Sequence, residues 1–568
     1  CICAATSDGG CHLDITREQL QDMLQDYDWI VGSNIQYDLD YLDLDTTGKK
    51  ICDVLLTERL LDTTTIRVNL GTLAEKYLGK GKLTNELEIY AEANGIKKVM
   101  ENLDKIPKHL LLKYCYMDCK LTLDVFTTQY ELVKDMIGFD VEVGIQTVIR
   151  EMRKQGVPFD VEKAKKLSAE LLIEINKLGG QIETQFGTTN FKTDDGKKVL
   201  ASYCGDNGIR YSMTTKTNKP QFDAKFFRQY TGQEALLMID KYNALCKLRS
   251  DFVEKLIDIT VEGKIYPNIN SMRGEQGGTI TGRFSMTKPN LQQLSSRNPE
   301  WSNKIRDMFT VPDGNVWVKL DYSAQEVRVF LAFAAGAGGR EAEEFLKRFQ
   351  EDPYMDPYLY AAEVAKSKGR EITRPVMKTI ILASQYMIGV KKLAGVLNCS
   401  EDEARDLLNA FNDTFPFMRK FQRQVIDVVE RRGKTQGEAF VTTLAGRKVY
   451  LDIDKLPVNV AGSTMSFVSK IRDTYKAINY LIQGSSADIT KKAMLNAAAL
   501  GYYPVMTCHD ELGYIIPRES IHDVVPLLIN CMEETYSIAI PMKVSCDIGR
   551  SWGVYEKYNQ RREEEILV

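Results

Sequence analysis

The chain lacks an uninterrupted apolar run long enough to cross a bilayer, and Cys1 to Gly10 carry no basic flank leading into an apolar core, which excludes a signal peptide of the usual type there. Its twelve cysteines form no C-x-x-C pair and no regular framework. That pattern reads as reduced thiols in a cytosol-like, cytoplasmic compartment. Basic excess is also missing: 74 Lys and Arg stand against 78 Asp and Glu, for a formal net charge of -4. A wholly basic nucleic-acid binder is therefore excluded, although a local basic groove is not. There are no internal repeats and no low-complexity tracts.

What is present is a 568-residue chain with 44% hydrophobic residues, enough for several cores. The usual length prior gives about three or four domains. Up to Gly138 short strands such as WIVGS alternate with helices, as in an α/β unit. From Asp140 to Asp258 the pattern is mostly helical. KYNALCKLRSDFVEKLIDIT, starting at Lys241, reads as a long amphipathic helix whose Lys247 and Arg249 form either a solvated face or a contact for DNA phosphates. From Ile265 strands and helices alternate again, with glycine-marked turns at Gly274 to Gly282 and at Gly446, and GRKVYLDIDKLP reads as a hairpin arm and loop.

Three segments carry candidate chemistry. VMTCHDELGYII sets Asp510 and Glu511 behind His509 between strand-like residues. This is either the polar tip of a hairpin or part of a metal site, since Mg²⁺ prefers hard oxygen ligands. In NVWVKLDYSAQEVRVFLAFAAG, Val316 to Leu320 read as a buried strand, Asp321 closes it, and Ser323 starts a helix. Ser323 and Glu326 have capping-box spacing, so Glu326 can be read as a helix cap without any function. In TRPVMKTIILASQYMIG, Pro375 suits a first helical turn, and Arg374, Lys378, Leu382 and Tyr386 recur every four residues. Two cations and an aromatic on one face suit a nucleoside triphosphate; an ordinary surface helix is the alternative.

Taken in order, these segments resemble motifs A, B and C of the family A DNA polymerases. TGRFS at Thr281, NLQQL at Asn290, TLAGRK at Thr443 and INYLIQGSSADI at Ile478 fall in the family's order as well. The resemblance spans nearly the whole chain. It implies an α/β multidomain right hand preceded by a partial ribonuclease H-like exonuclease domain: residues 1–138 exonuclease-like, 139–260 thumb, 261–345 first palm segment, 346–470 fingers, 471–568 second palm segment. By the same resemblance Asp321 and Asp510 hold two Mg²⁺ ions, for which Mn²⁺ can substitute. Arg374 and Lys378 bind the triphosphate, with Lys378 also a proton donor to the leaving group. Leu382, Tyr386 and Glu326 complete the dNTP site, and Glu326 pairs with Tyr386 as a gate against ribonucleotides. Arg283, Gln292, Arg447, Asn479, Gln483 and His509 contact primer–template DNA, and Glu511 supports the primer end. The implied partners are primer–template DNA and dNTPs; the implied state is a monomer away from membranes, and no replisome partner is indicated.

Two departures stand out. The family usually carries Phe or Tyr at the position of Leu382, so altered speed, fidelity or tolerance of sugar analogues is expected, and leucine here tilts the reading toward a phage-type replicative enzyme. In the N-terminal unit, VGSNIQYDLDYL and YCYMDCKLT resemble the second and third motifs of the family's 3′–5′ exonuclease, with Asp38, Tyr114 and Asp118 as its residues, but Cys1 to Tyr37 contain no Asp-x-Glu pair. Weak or absent proofreading is therefore expected of this chain. Its start at Cys1 reads as a longer protein without its beginning, and no segment accommodates a 5′-nuclease. A single-subunit RNA polymerase, a DNA-holding protein with decayed catalysis and a nuclease are the rival functions. Comparing dNTP with NTP incorporation, binding without extension, and primer shortening would separate them.

Overall fold

The N-terminal strands follow the apolar segments. β1 (Cys3–Ala5) pairs antiparallel with β2 (Cys11–Leu13), and WIVGS forms β3 (Trp29–Gly32), parallel to β4 (Lys50–Asp53). A parallel pair needs a crossover, and α1 (Ile35–Leu42) supplies it. Buried Asp53 at the end of β4 accepts from the backbone N–H of Ile35 (3.1 Å) and Leu55 (2.8 Å), so one carboxylate fixes the starts of two helices. The long α2 (Lys108–Val133) packs across β1 and β3. The computed structural model describes residues 2–558 except 66, 82–84, 215–216, 231, 275–276, 295–298 and 461–462.

Next come α3 (Ile137–Gln155), α4 (Val161–Phe186) and α5 (Glu234–Arg249). Asp160 starts α4 by accepting from the Lys163 N–H at 2.9 Å, and Gly187 ends it in the left-handed region at φ 68°. Between α4 and α5 the chain builds a small separate core around Ile182, Leu200, Phe226 and Leu236. The helix expected from Lys241 begins at Glu234, and after Arg249 it widens into a π turn at Ser250–Glu254 before resuming at Lys255–Asp258. Arg249 does not join a basic surface there. It donates to Ser168 and pairs with Glu254, which ties α5 to α4, while Lys247 is exposed.

The C-terminal half is organised on one sheet. Its elements are β5 (Asn315–Tyr322), α6 (Gln325–Ala335), α7 (Pro357–Ser367), α8 (Arg374–Gln385), α9 (Lys476–Ala499), β6 (Met506–Cys508), β7 (Glu511–Pro517), α10 (Ile521–Glu533), β8 (Val544–Gly549) and β9 (Tyr555–Lys557). Five strands in the order β6-β7-β5-β8-β9 pair antiparallel throughout. Alternation along β5 gives its two faces different work: Val316, Val318, Leu320 and Tyr322 are buried on one, and Trp317, Lys319 and Asp321 line the other. Trp317 stacks on Trp552 at 6.3 Å. The half-open remainder of that face is left for Lys319 and Asp321. In the GRKVYLDIDKLP segment the expected hairpin arm forms, with Lys448–Tyr450 returning on Phe440–Thr442, but the expected loop is a second strand, Ile453–Val460, paired with Ser463–Ile471. Among the described residues no helix is long and apolar enough to cross a membrane.

The turn after β5 corrects the sequence reading. Asp321 lies inside the strand rather than closing it, and the helix begins at Gln325 rather than Ser323, behind Ala324 at φ 56° with no side-chain cap. The capping box between Ser323 and Glu326 does not form. Arg328 holds the turn instead, donating to the carbonyls of Ser323 (2.8 Å), Pro541 (2.8 Å) and Pro353 (2.9 Å) from a position only 1% exposed. Burial pushes its pKa down to about 10, so it stays charged at neutral pH.

Replacing Arg328 deprives three part-buried carbonyls of their donor. Arg328→Ala should lose about 3 kcal/mol or more of stability in denaturant unfolding; a loss under about 1 kcal/mol would mean the turn is held by something else.

Candidate active site

Antiparallel register decides which acids meet. β7 runs back along β5 so that Glu511 is the cross-strand partner of Asp321, and the two-residue turn joining β6 to β7 consists of His509 and Asp510. A tight hairpin turn matched to strand twist needs a positive φ, which His509 supplies at 63°. The hairpin expected at His-Asp-Glu is therefore real, and it delivers Asp510 to the end of the strand that carries Asp321. Burial pushes the Asp321 carboxyl up to about 7, helped next by the negative charges of Asp510 and Glu511 and opposed by Lys319. Asp510 is raised as well, again first by burial, while Arg283 and His509 pull it down.

Glu511 shares the sheet face of Asp321 but has partners of its own. Its Oε1 accepts from the Trp552 indole at 2.7 Å, and its Oε2 lies 3.7 Å from the Lys319 ammonium, which also stands 3.4 Å from Asp547. The donor set at Asp321 and Asp510 fits a divalent cation: two hard carboxylates, desolvated and mutually repelling, with no cation of their own at hydrogen-bond distance among the contacts described. These two are the residues that could hold it.

Above the carboxylates Glu326 joins three segments distant in sequence. Arg283 pairs with its Oε1, the Tyr386 hydroxyl donates to its Oε2 at 2.9 Å, and Gln483 donates to the Tyr386 oxygen at 3.2 Å. Gln385 adds a bond to the Glu326 carbonyl at 3.1 Å. An ionised pair with Arg283 outweighs a cap bond at a half-exposed helix start, which is why the cap reading fails. Along α8 the expected stripe forms: Arg374 and Lys378 are exposed, Leu382 is half-buried, and Tyr386 sits just beyond the last turn. Both cations lie over the Tyr358 ring at 5.6 Å.

Other sequence-predicted residues have different fates. His509 is exposed on the turn and Asn479 is half-buried on α9. Gln292 is half-buried and uses its amide to hold the Thr507 carbonyl of β6 at 3.2 Å. Arg447 does not reach a DNA-facing surface: it is fully buried, paired with Asp488 and bonded to the Gly484 carbonyl. It backs the turn before Arg283, since a Cβ at Gly282 (φ 76°) would collide with its guanidinium. In the N-terminal unit Asp38 lies on α1, and Tyr114 and Asp118 share a face of α2. Burial lifts Asp38, and the nearby Cys119 thiol, pushed up to about 12 by burial first, also feels Asp118 and Asp38, which brings the two acids into one neighbourhood. Residues missed in the sequence are Lys319, Tyr358 and Asp356. Lys319 was findable, because a spacing of two on a strand puts it on the face of Asp321.

The model of the family described as DNA polymerase family A matches residues 161–554. A DNA-directed DNA polymerase of Pseudomonas phage M6 is 25% identical over 92% of this chain and 83% of its own length. The thermostable DNA polymerase I of Thermus aquaticus is 29% identical over 73% of this chain and 48% of its own, and the DNA polymerase I of Borreliella burgdorferi 25% identical over 92% and 55%. The chain thus spans about half the length of these bacterial relatives. Among solved structures, the POL domain of Pol1 from M. smegmatis, in complex with DNA primer-template and dNTP, shares the fold at TM-score 0.71 with 23% identity, over 91% of this chain and 84% of that one.

The raised carboxyl makes a prediction about the metal-free protein. Because Asp321 binds its proton more tightly folded than unfolded, its contribution to stability is lost as pH rises from about 4 to about 7. Asp321→Asn should therefore melt higher than the parent in chelator at pH 8, with the gap closing toward pH 5. A variant that melts lower at pH 8 would show that the carboxylate is stabilising there.

Proposed function

The chain belongs to DNA polymerase family A, and on that premise we propose that it carries out template-directed DNA synthesis, adding dNTPs to a primer 3′-hydroxyl by nucleotidyl transfer. The observation that carries this reading is the meeting of Asp321 and Asp510 at one end of the sheet, below a Glu326–Tyr386 pair and beside a helix presenting Arg374 and Lys378. Two Mg²⁺ ions at the carboxylates would supply Lewis-acid activation of the 3′-hydroxyl and neutralise the developing charge on the leaving pyrophosphate. Asp321 and Asp510 hold that site in a fixed, desolvated place. Arg374 and Lys378 bind and orient the triphosphate, and Lys378 is positioned by this reading to protonate the leaving group.

Glu326 with Tyr386 closes the space beside the sugar C2′ and so favours deoxynucleotides. Leu382 offers the incoming nucleotide apolar contact without a flat ring. Arg283, Asn479, Gln483 and His509 meet primer–template DNA, and phosphate contacts make binding salt-sensitive. We assign residues 139–260 to a thumb, 261–345 and 471–568 to a palm, and 346–470 to fingers. Residues 1–138 form an exonuclease-like unit that retains Asp38, Tyr114 and Asp118 without an Asp-x-Glu pair in Cys1 to Tyr37, so proofreading by this chain is weak or absent. Replication of a phage genome is the setting that best suits these features.

The test is extension of a labelled primer on a template with Mg²⁺. The parent should add dNTPs by template and NTPs poorly, Asp510→Ala should lose at least about a thousandfold in rate, and Glu326→Ala should accept NTPs more readily. Tight primer–template binding without extension by the folded parent would overturn the reading in favour of a DNA-holding protein. Metal-dependent removal of a mismatched 3′ end, abolished by Asp118→Ala, would overturn the view of the first unit.

A further inference from the structure

Asp356 bonds to two helices at once. Its Oδ1 caps α7, accepting from the N–H groups of Tyr358 (2.8 Å) and Leu359 (3.0 Å) just ahead of Pro357 in the first turn. Its Oδ2 accepts from Arg374 at the start of α8, from Nε at 2.7 Å and also from Nη2. The cap bonds leave the carboxylate little freedom, so the guanidinium it holds is fixed as well.

Arg374 needs such a tether. It is the first residue of α8, its side chain is 45% exposed, and no side chain caps that helix. The helix N-terminus and Lys378 one turn on both repel it, and an unheld guanidinium would spend its time in solvent. The carboxylate draws it over the Tyr358 ring, which also lies beneath Lys378 at the same 5.6 Å. That ring is buried, so it gives both cations a fixed surface to lie against. α7 and α8 pack directly on one another, which makes the tether internal to one helix pair.

We propose that Asp356 is a positioning residue for the triphosphate: it orients the Arg374 guanidinium over Tyr358 before nucleotide arrives and leaves the Nη1 edge of the fork turned to the ligand. The proposal rests on the reading of Arg374 as a phosphate-binding cation. A carboxylate near an anionic ligand also repels it, but at a half-exposed site that repulsion is screened, whereas an oriented guanidinium spares the ligand the cost of ordering it.

Single-turnover incorporation on primer–template gives an apparent dNTP Kd and a maximal rate for the parent, Asp356→Asn, Asp356→Ser, Arg374→Ala and Asp356→Asn with Arg374→Ala. Asn and Ser both retain N-cap capacity, so α7 keeps its start while the tether loses its charge. Each of the two Asp356 variants should weaken the dNTP Kd about tenfold with a maximal rate within about twofold of the parent, and the double variant should be no weaker than Arg374→Ala alone. Parental dNTP affinity in both Asp356 variants beside a weakened Arg374→Ala would overturn the proposal. So would tighter binding in them, which would make the carboxylate a repulsive gate, or losses that multiply in the double variant. Parental affinity in Arg374→Ala removes instead the reading of Arg374 itself.

Discussion

Two carboxylates that repel each other are held together, and much of the surrounding structure serves that arrangement. Asp321 is carried by a central strand and Asp510 by the two-residue turn next to its cross-strand partner Glu511, so the sheet brings the two together. Burial makes the repulsion expensive, as the lifted Asp321 carboxyl records. A site that is unfavourable when empty of cations is well prepared to bind them.

The frame that bears this strain is itself polar and buried. Arg328 clamps the turn after Asp321 through three carbonyls, and Trp552 holds Glu511 from behind. Further back, Lys491 on α9 pairs with Glu142 of α3 and bonds to the Ser271 carbonyl, while Arg447 pairs with Asp488 on the same helix. Breaking one member of such a cluster strands the other charge in a dry interior, so these groups fix one arrangement of distant segments. Through Gly282 the cluster also sets the turn that presents Arg283 to Glu326.

Local pattern made much of this legible. Alternation in NVWVKLDY gave the strand, the spacing of Arg374, Lys378, Leu382 and Tyr386 gave the helix face, and VMTCHDELGYII gave the hairpin. The failures share a cause: each turned on a partner far along the chain. Ser323 and Glu326 match a capping box by spacing, yet the partner Glu326 takes is Arg283, 43 residues away. The resemblance put Arg447 on DNA, yet it pairs with Asp488, 41 residues on, and Arg249, one of two candidate phosphate contacts, bonds instead to Ser168, 81 residues back. Asp356 carried a visible local signal, an acid before Pro357 at a helix start. Its second bond, to Arg374, is tertiary.

A divalent cation bound between Asp321 and Asp510 would relieve their repulsion. The most direct test is the unfolding temperature of the parent and of Asp510→Asn as Mg²⁺ is titrated into chelator-treated protein without DNA or nucleotide. The parent should start lower and rise with Mg²⁺, while Asp510→Asn should start higher and respond much less. Equal starting temperatures and equal responses would contradict this.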